Sequence, residues 1–196
     1  MNTNRFFIIR HGESVANKNG IITSHEDNAL NDFGLTNHGA EQVMHTALQT
    51  RLNQDTLIVS SDYLRAKESA ETLQVIICAS LEIRYDKRLR ERNFGNLELQ
   101  SSALYENVWQ QDELSSNVQL NKVETVNNIL SRVLPLVDEL NQTLSNQDIL
   151  LVGHGDVLQI LLAFYQGLDP KFHRTIMPLK NAELRSLPFL NKRLTA

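Results

Sequence analysis

Phe6-Phe7-Ile8-Ile9-Arg10-His11-Gly12-Glu13-Ser14 is the stretch on which the fold of this chain turns. Four apolar residues in a row read as a strand buried on both faces. The run then breaks at once into a cation, an imidazole and a glycine, so a core strand delivers polar chemistry to one edge of a sheet. In open α/β sheets that edge, outside the carboxyl ends of the strands, is where ligands bind. Gly12 is expected to let a ligand approach the backbone closely. A helix opening at Glu13-Ser14-Val15-Ala16-Asn17 would turn free N–H groups toward an anion beside His11.

A histidine after one strand is ordinarily a satisfied core group. Weight comes from a second stretch, Ile149-Leu150-Leu151-Val152-Gly153-His154-Gly155-Asp156, which repeats the plan: an apolar run, then Gly-His-Gly, then an apolar helical pattern. Two strand-end histidines in one small domain can face each other across one pocket.

With 196 residues the chain suits a single domain, taken as 1–196, with a substantial core. A net charge of −4 gives no electrostatic support to a nucleic-acid partner. No apolar stretch is long enough for a bilayer, and Met1 to Arg5 lacks the layout of a signal peptide, so the expectation is a cytoplasmic protein without a membrane partner. Cys78, the one cysteine, sits in Val75-Ile76-Ile77-Cys78-Ala79 and reads as a buried, inert thiol. His25, His38 and His45 read as surface residues, and no spacing among the histidines suggests a metal site.

Arg10-His11-Gly12-Glu13-Ser14 resembles the signature of the histidine phosphatase superfamily, in its phosphoglycerate mutase-like branch. Further motifs follow in the family's order. Leu35-Thr36-Asn37-His38-Gly39-Ala40-Glu41-Gln42 resembles a structural Leu-Thr-x-x-Gly-x-x-Gln element, with Thr36 as helix N-cap. Ser60-Ser61-Asp62-Tyr63-Leu64-Arg65-Ala66 resembles Ser-Ser-x-x-x-Arg-Ala, with Ser61 or Asp62 expected to cap the helix. Ser69 replaces the family's usual threonine. Arg65 near a helix N-terminus runs against the macrodipole, which points to an anionic partner. Leu89-Arg90-Glu91 followed by Gly95 resembles the block whose glutamate donates the proton; Arg92 is left open as an aid to substrate binding.

The resemblance implies a three-layer α/β/α sandwich with a mostly parallel central sheet and the pocket at its C-terminal edge. It implies a phosphohistidine on His11, with Arg10, Arg65 and a protonated His154 around the phosphoryl group and Glu91 as acid then base. Asn17 stands at the family's distance from His11 as a phosphate-binding amide. Thr23 and Ser24, in the polar loop from Ile21 to Asn31, are the rim candidates. No metal or other cofactor is implied, the substrate is a small phosphomonoester, and a homodimer is compatible with the family.

The pattern departs at about residues 97–120, an insert expected to cover the pocket in part. It carries Glu98, Glu106, Asp112 and Glu113 and no lysine or arginine. The family's sugar-phosphate mutases place a basic cluster here, so this chain reads as a phosphatase. The alternatives are mutase-type phosphoryl transfer and a phosphate-binding protein without activity. Tyr105 and Trp109, four residues apart, read as packing. From Lys122 to Leu144 the apolar period is helical, with Pro135 expected to kink or divide it.

Overall fold

The computed structural model describes residues 4–188; the C-terminal stretch from Lys192, expected to be loosely held, lies outside them. The strands are β1 (Arg5–Arg10), β2 (Leu57–Ser60), β3 (Arg84–Tyr85), β4 (Asp148–Gly153) and β5 (Leu184–Ser186). They form one sheet in the order β3-β2-β4-β1-β5. All pairs are parallel except β1 with β5, so the sheet is mostly parallel as expected. The helices are α1 (Val15–Asn19), α2 (Glu26–Ala29), α3 (Asn37–Gln49), α4 (Leu64–Ile76), α5 (Tyr105–Leu114), α6 (Val126–Thr143) and α7 (Gly155–Tyr165).

The apolar runs of β1 and β4 serve two cores at once. Phe6 and Ile8, with Ile149 and Leu151, face α6 and α7. Ile9, with Leu150 and Val152, faces α3 and α4. Helices on both faces are the reason these strands lack polar alternation. The result is the three-layer sandwich. A third, smaller cluster of Ile22, Phe94, Leu97, Val108 and Val123 seats the insert, whose helix is α5.

Several local expectations change. The helix expected from Lys122 begins at Val126, because Thr125 caps it through Asn128 N at 3.1 Å. Pro135 does not divide it: α6 runs unbroken to Thr143, with the proline on its exposed side. Cys78 is exposed, not buried. It follows the end of α4 with φ 55°, the left-handed turn that carries its side chain off the core. Neither Ser61 nor Asp62 caps α4, whose N-cap is Tyr63 without a side-chain bond. Asp62 is taken by Arg90 at 2.7 Å.

Candidate active site

Strand register alone brings the two histidines together. Arg10 pairs with Gly153 across β1 and β4, so the next residues, His11 and His154, leave the sheet side by side. His11 N donates to Gly153 O at 3.0 Å, and the two imidazoles meet edge to face with centroids 5.2 Å apart. Strand β2 lies on the other side of β4 and ends at the same edge. It feeds α4, whose second residue is Arg65.

His11 is buried, and its two nitrogens are differently engaged. Nδ1 lies 2.7 Å from Gly12 O, a carbonyl that only accepts, so Nδ1 carries the proton. Nε2 therefore holds a lone pair and accepts from Arg65 Nε at 3.1 Å. Burial, then the charges of Arg65 and Arg10, holds the His11 pKa well below the usual imidazole value. Arg65 is buried too; its Nη2 donates to Thr23 O at 3.0 Å and its Nη1 reaches Thr23 Oγ1 at 3.4 Å. Arg10 donates from Nη1 to Leu179 O at 3.0 Å, while its buried Nε has no partner.

His154 is fully buried, with Nε2 2.9 Å from Ser61 Oγ and Nδ1 unpartnered. It stands behind His11 and is not part of the cavity wall. Burial, followed by Arg65 and His11, pushes its pKa well below the ordinary value, so the imidazole is neutral in the free protein. Two guanidiniums already occupy the neighbourhood, and a third cation there needs an anion first.

The side chains that converge border a recess of about 620 Å³, counted out to its open mouth. Arg10, His11, Asn17, Thr23, Arg65 and Glu91 all line it. Asn17 Oδ1 accepts from Ser14 N and from Asn181 Nδ2, each at 3.1 Å, which leaves the amide nitrogen as its remaining donor group. Burial and the charge of Asp156 raise the Glu91 pKa to about 7.

Ser24 does not join them. Its hydroxyl donates to Glu98 Oε2 at 2.6 Å and accepts from Phe94 N at 2.9 Å, so it fastens the insert, away from the recess. Gly12 serves a different neighbour from the one expected. A Cβ there would collide with the Gly39 carbonyl, so the close approach is by α3, not by a ligand. Gln42 Oε1 accepts from Glu13 N at 2.9 Å and completes this clamp on the loop after β1. Arg92 is not at the recess either; it is buried in a bidentate pair with Asp112, at 2.6 and 2.7 Å, and reaches Asp156 at 3.2 Å.

The insert contributes more than packing. Tyr105 and Trp109 stack at 5.6 Å and both wall the recess. Trp109 Nε1 donates to Asp156 at 3.0 Å. None of the insert's acidic residues lines the recess: Glu98 holds Ser24 and Asn28, Asp112 holds Arg92 and His173, and Glu106 reaches the lining residue Arg174 only through its charge. The insert thus brings no carboxylate of its own to the recess wall, which Glu91 and Asp156 line from elsewhere. Arg174, on the short 3₁₀ segment Pro170–Thr175, also lines the recess and went unnoticed in the sequence. The one signal for it is a basic cluster, Lys171, His173 and Arg174, in an otherwise acidic chain.

Paired strand-end histidines, a buried arginine on the unprotonated imidazole nitrogen and a carboxyl with a raised pKa thus converge on one recess. The model of the histidine phosphatase superfamily, branch 1, matches residues 6–196, and the chain belongs to that superfamily. Among curated relatives, the probable phosphoglycerate mutase GpmB of Yersinia enterocolitica is 28% identical over 188 residues, which are 93% of this chain and 84% of that protein. Among solved structures, mycobacterial glucosyl-3-phosphoglycerate phosphatase superposes with a TM-score of 0.79 at 23% identity, over 94% of this chain and 90% of that one. The alpha-ribazole phosphatase of Shigella flexneri does so with a TM-score of 0.75 at 24% identity, over 93% and 89%. The two superpositions speak for the fold.

Proposed function

We propose that this chain is a phosphatase that hydrolyses a small phosphomonoester through a phosphohistidine on His11. The observation that carries the reading is the state of His11: protonated on Nδ1, with the Nε2 lone pair held by Arg65 at the wall of the recess. In the first step Nε2 attacks phosphorus in line and the bond from phosphorus to the leaving oxygen breaks. Arg10 and Arg65 balance the charge on the phosphoryl oxygens, and the Asn17 amide and Thr23 hydroxyl are placed to add donors. Glu91, protonated up to about pH 7, gives its proton to the departing alcohol. In the second step water attacks phosphorus as Glu91 takes its proton, the bond from phosphorus to His11 Nε2 breaks with its electron pair returning to the nitrogen, and phosphate leaves. The dianionic phosphoryl group on His11 favours a proton on His154, which then adds a third positive charge. These arginines give the charge compensation for which other phosphatases recruit metal ions.

Hydrolysis is favoured over phosphoryl retention by the position of Glu91. It borders the recess and also a second, wider cleft lined by Tyr63, Arg90, Lys122, Glu124 and Arg132, so water has a route to the base. The mutase reading keeps support from the names of the curated relatives and from Arg174 in the recess. Phenyl phosphate separates the cases. Release of phosphate by the wild type, its loss in His11→Ala and an acid-labile phosphoprotein in the wild type support the phosphatase. Phosphoglycerate isomers that interconvert faster than phosphate appears would establish the mutase. A wild type that binds phosphate and turns nothing over would make it a binding protein.

A further inference from the structure

Three arginines border the recess without a carboxylate partner among the described residues: Arg10, Arg65 and Arg174. Arginines elsewhere are treated differently, and those of the Arg84–Arg92 run are each tied to a carboxylate. Arg174 stands apart from His11 in sequence and in company. Its guanidinium carbon lies 3.6 Å from the Trp109 ring centroid, and Nη1 reaches Gln159 Oε1 at 3.4 Å. Its neighbour His173 is buried and bonds Asp112 at 3.2 Å, which fixes the segment. Arg174 is thus a half-buried, oriented cation with donors to spare.

Trp109 cannot serve as an open platform for a flat ligand. Arg174 covers a face of the ring, Tyr105 stacks along it and the ring N–H is spent on Asp156. What this wall offers a ligand is a guanidinium edge. Asp156 and Glu106 act on it through space but neither pairs with it: Asp156 is bonded to Arg92 and Trp109, Glu106 accepts from Gln110, and Glu91 must be protonated to act. A phosphomonoester dianion answers Arg10 and Arg65 and leaves Arg174 unanswered.

We propose that Arg174, braced on Trp109, forms a second anion subsite that takes a carboxylate carried on the leaving group of the phosphomonoester. A carboxylate matches the two parallel donors of a guanidinium edge. The proposal deepens the phosphatase reading and rests on it for the seat of the phosphate.

Two paired comparisons test it. In turnover, phosphoglycolate is set against ethyl phosphate, and 4-carboxyphenyl phosphate against phenyl phosphate. The carboxylated member is expected to have the higher kcat/KM by about 10- to 100-fold, the worth of a charge-assisted hydrogen bond. Arg174→Gln should bring that ratio toward one, and Arg174→Lys should retain part of it. A wild-type ratio near one, or an equal loss on both members in Arg174→Gln, overturns the subsite.

Trp109, the chain's single tryptophan, supplies a readout without turnover. Its fluorescence is titrated with phosphonoacetate and with ethylphosphonate. The subsite requires phosphonoacetate to saturate at a concentration at least about tenfold lower, and Arg174→Gln to remove the gap. If no phosphate is released and the gap persists, the phosphatase reading falls and the subsite stands. If phosphate is released and no gap exists, the subsite falls alone.

Discussion

A histidine becomes a nucleophile when one nitrogen is emptied and its partner is occupied, and Gly12 O does the occupying for His11. The low pKa of His11 keeps Nε2 unprotonated through the weakly acidic range. The acid step sets the other limit, because Glu91 loses its proton as pH rises through about 7. For phenyl phosphate, kcat/KM is therefore expected to fall on the alkaline side of about 7, read from a pH–rate profile. Asp156→Asn removes a negative neighbour of Glu91, so the falling limb should move to lower pH; an unmoved limb would refute the coupling. Stability carries the same sign. A carboxyl whose folded pKa is raised above its ordinary 4.5 stabilises the fold only while protonated, and that contribution is lost as pH climbs through about 7. Glu91→Gln should accordingly raise Tm relative to wild type at pH 8, with the gain shrinking toward pH 4. Arg65→Lys keeps a charge and loses the planar fork, and should cost about 10²- to 10³-fold in kcat.

At the level of elements, the contact of Gly12 with α3 is testable by stability. Gly12→Ala forces a methyl onto the Gly39 carbonyl, a backbone atom that cannot step aside. A loss of about 3 kcal/mol or more in urea unfolding is expected, as for severe overpacking. The strands and the paired histidines were readable because β1 and β4 are buried on both faces and must be apolar throughout, whatever else the chain does. Register then fixed the site with no further information. Three of the differences have one cause, that the deciding partner is remote in sequence. Gly12 answers to Gly39, Ser24 to Glu98 and Phe94, and Trp109 to Asp156 and Arg174. Pro135 does not divide α6 for a local reason: an exposed proline forfeits one helix bond while the buried stripe of α6 holds the rest.

Across the whole molecule, one buried polar network joins four regions. Arg92 beside Glu91 holds Asp112 of α5 and Asp156 of α7, and Asp112 holds His173 beside Arg174. All four members are buried. The insert, the Glu91 segment, the helix after His154 and the Arg174 segment are thus tied together through one guanidinium. Arg92→Met strands two carboxylates in the interior and should cost about 3–5 kcal/mol. Chemical denaturation checks the loss, and phosphate release by the fraction still folded should drop through misplacement of Glu91. None of this was visible beforehand: a run of charges from Asp86 to Arg92 resembles solvated surface until its partners arrive from far along the chain.

The strand that leads into His11 is also the one that must wait longest for company. Of the five strands β1 is made first, yet its partners are β4 and β5, and the carbonyls of Arg10 and His11 at its end receive Ala182 N. Until residues 148–186 have been made, Phe6 to Ile9 offer both hydrogen-bonding edges and two apolar faces to whatever lies nearby. Such a nascent chain is a natural client for a holdase, and its folding should be slow for its size. A ribosome-stalled chain ending before Asp148 should remain protease-sensitive throughout β1, and one extended past Ser186 should acquire protection there in a single step.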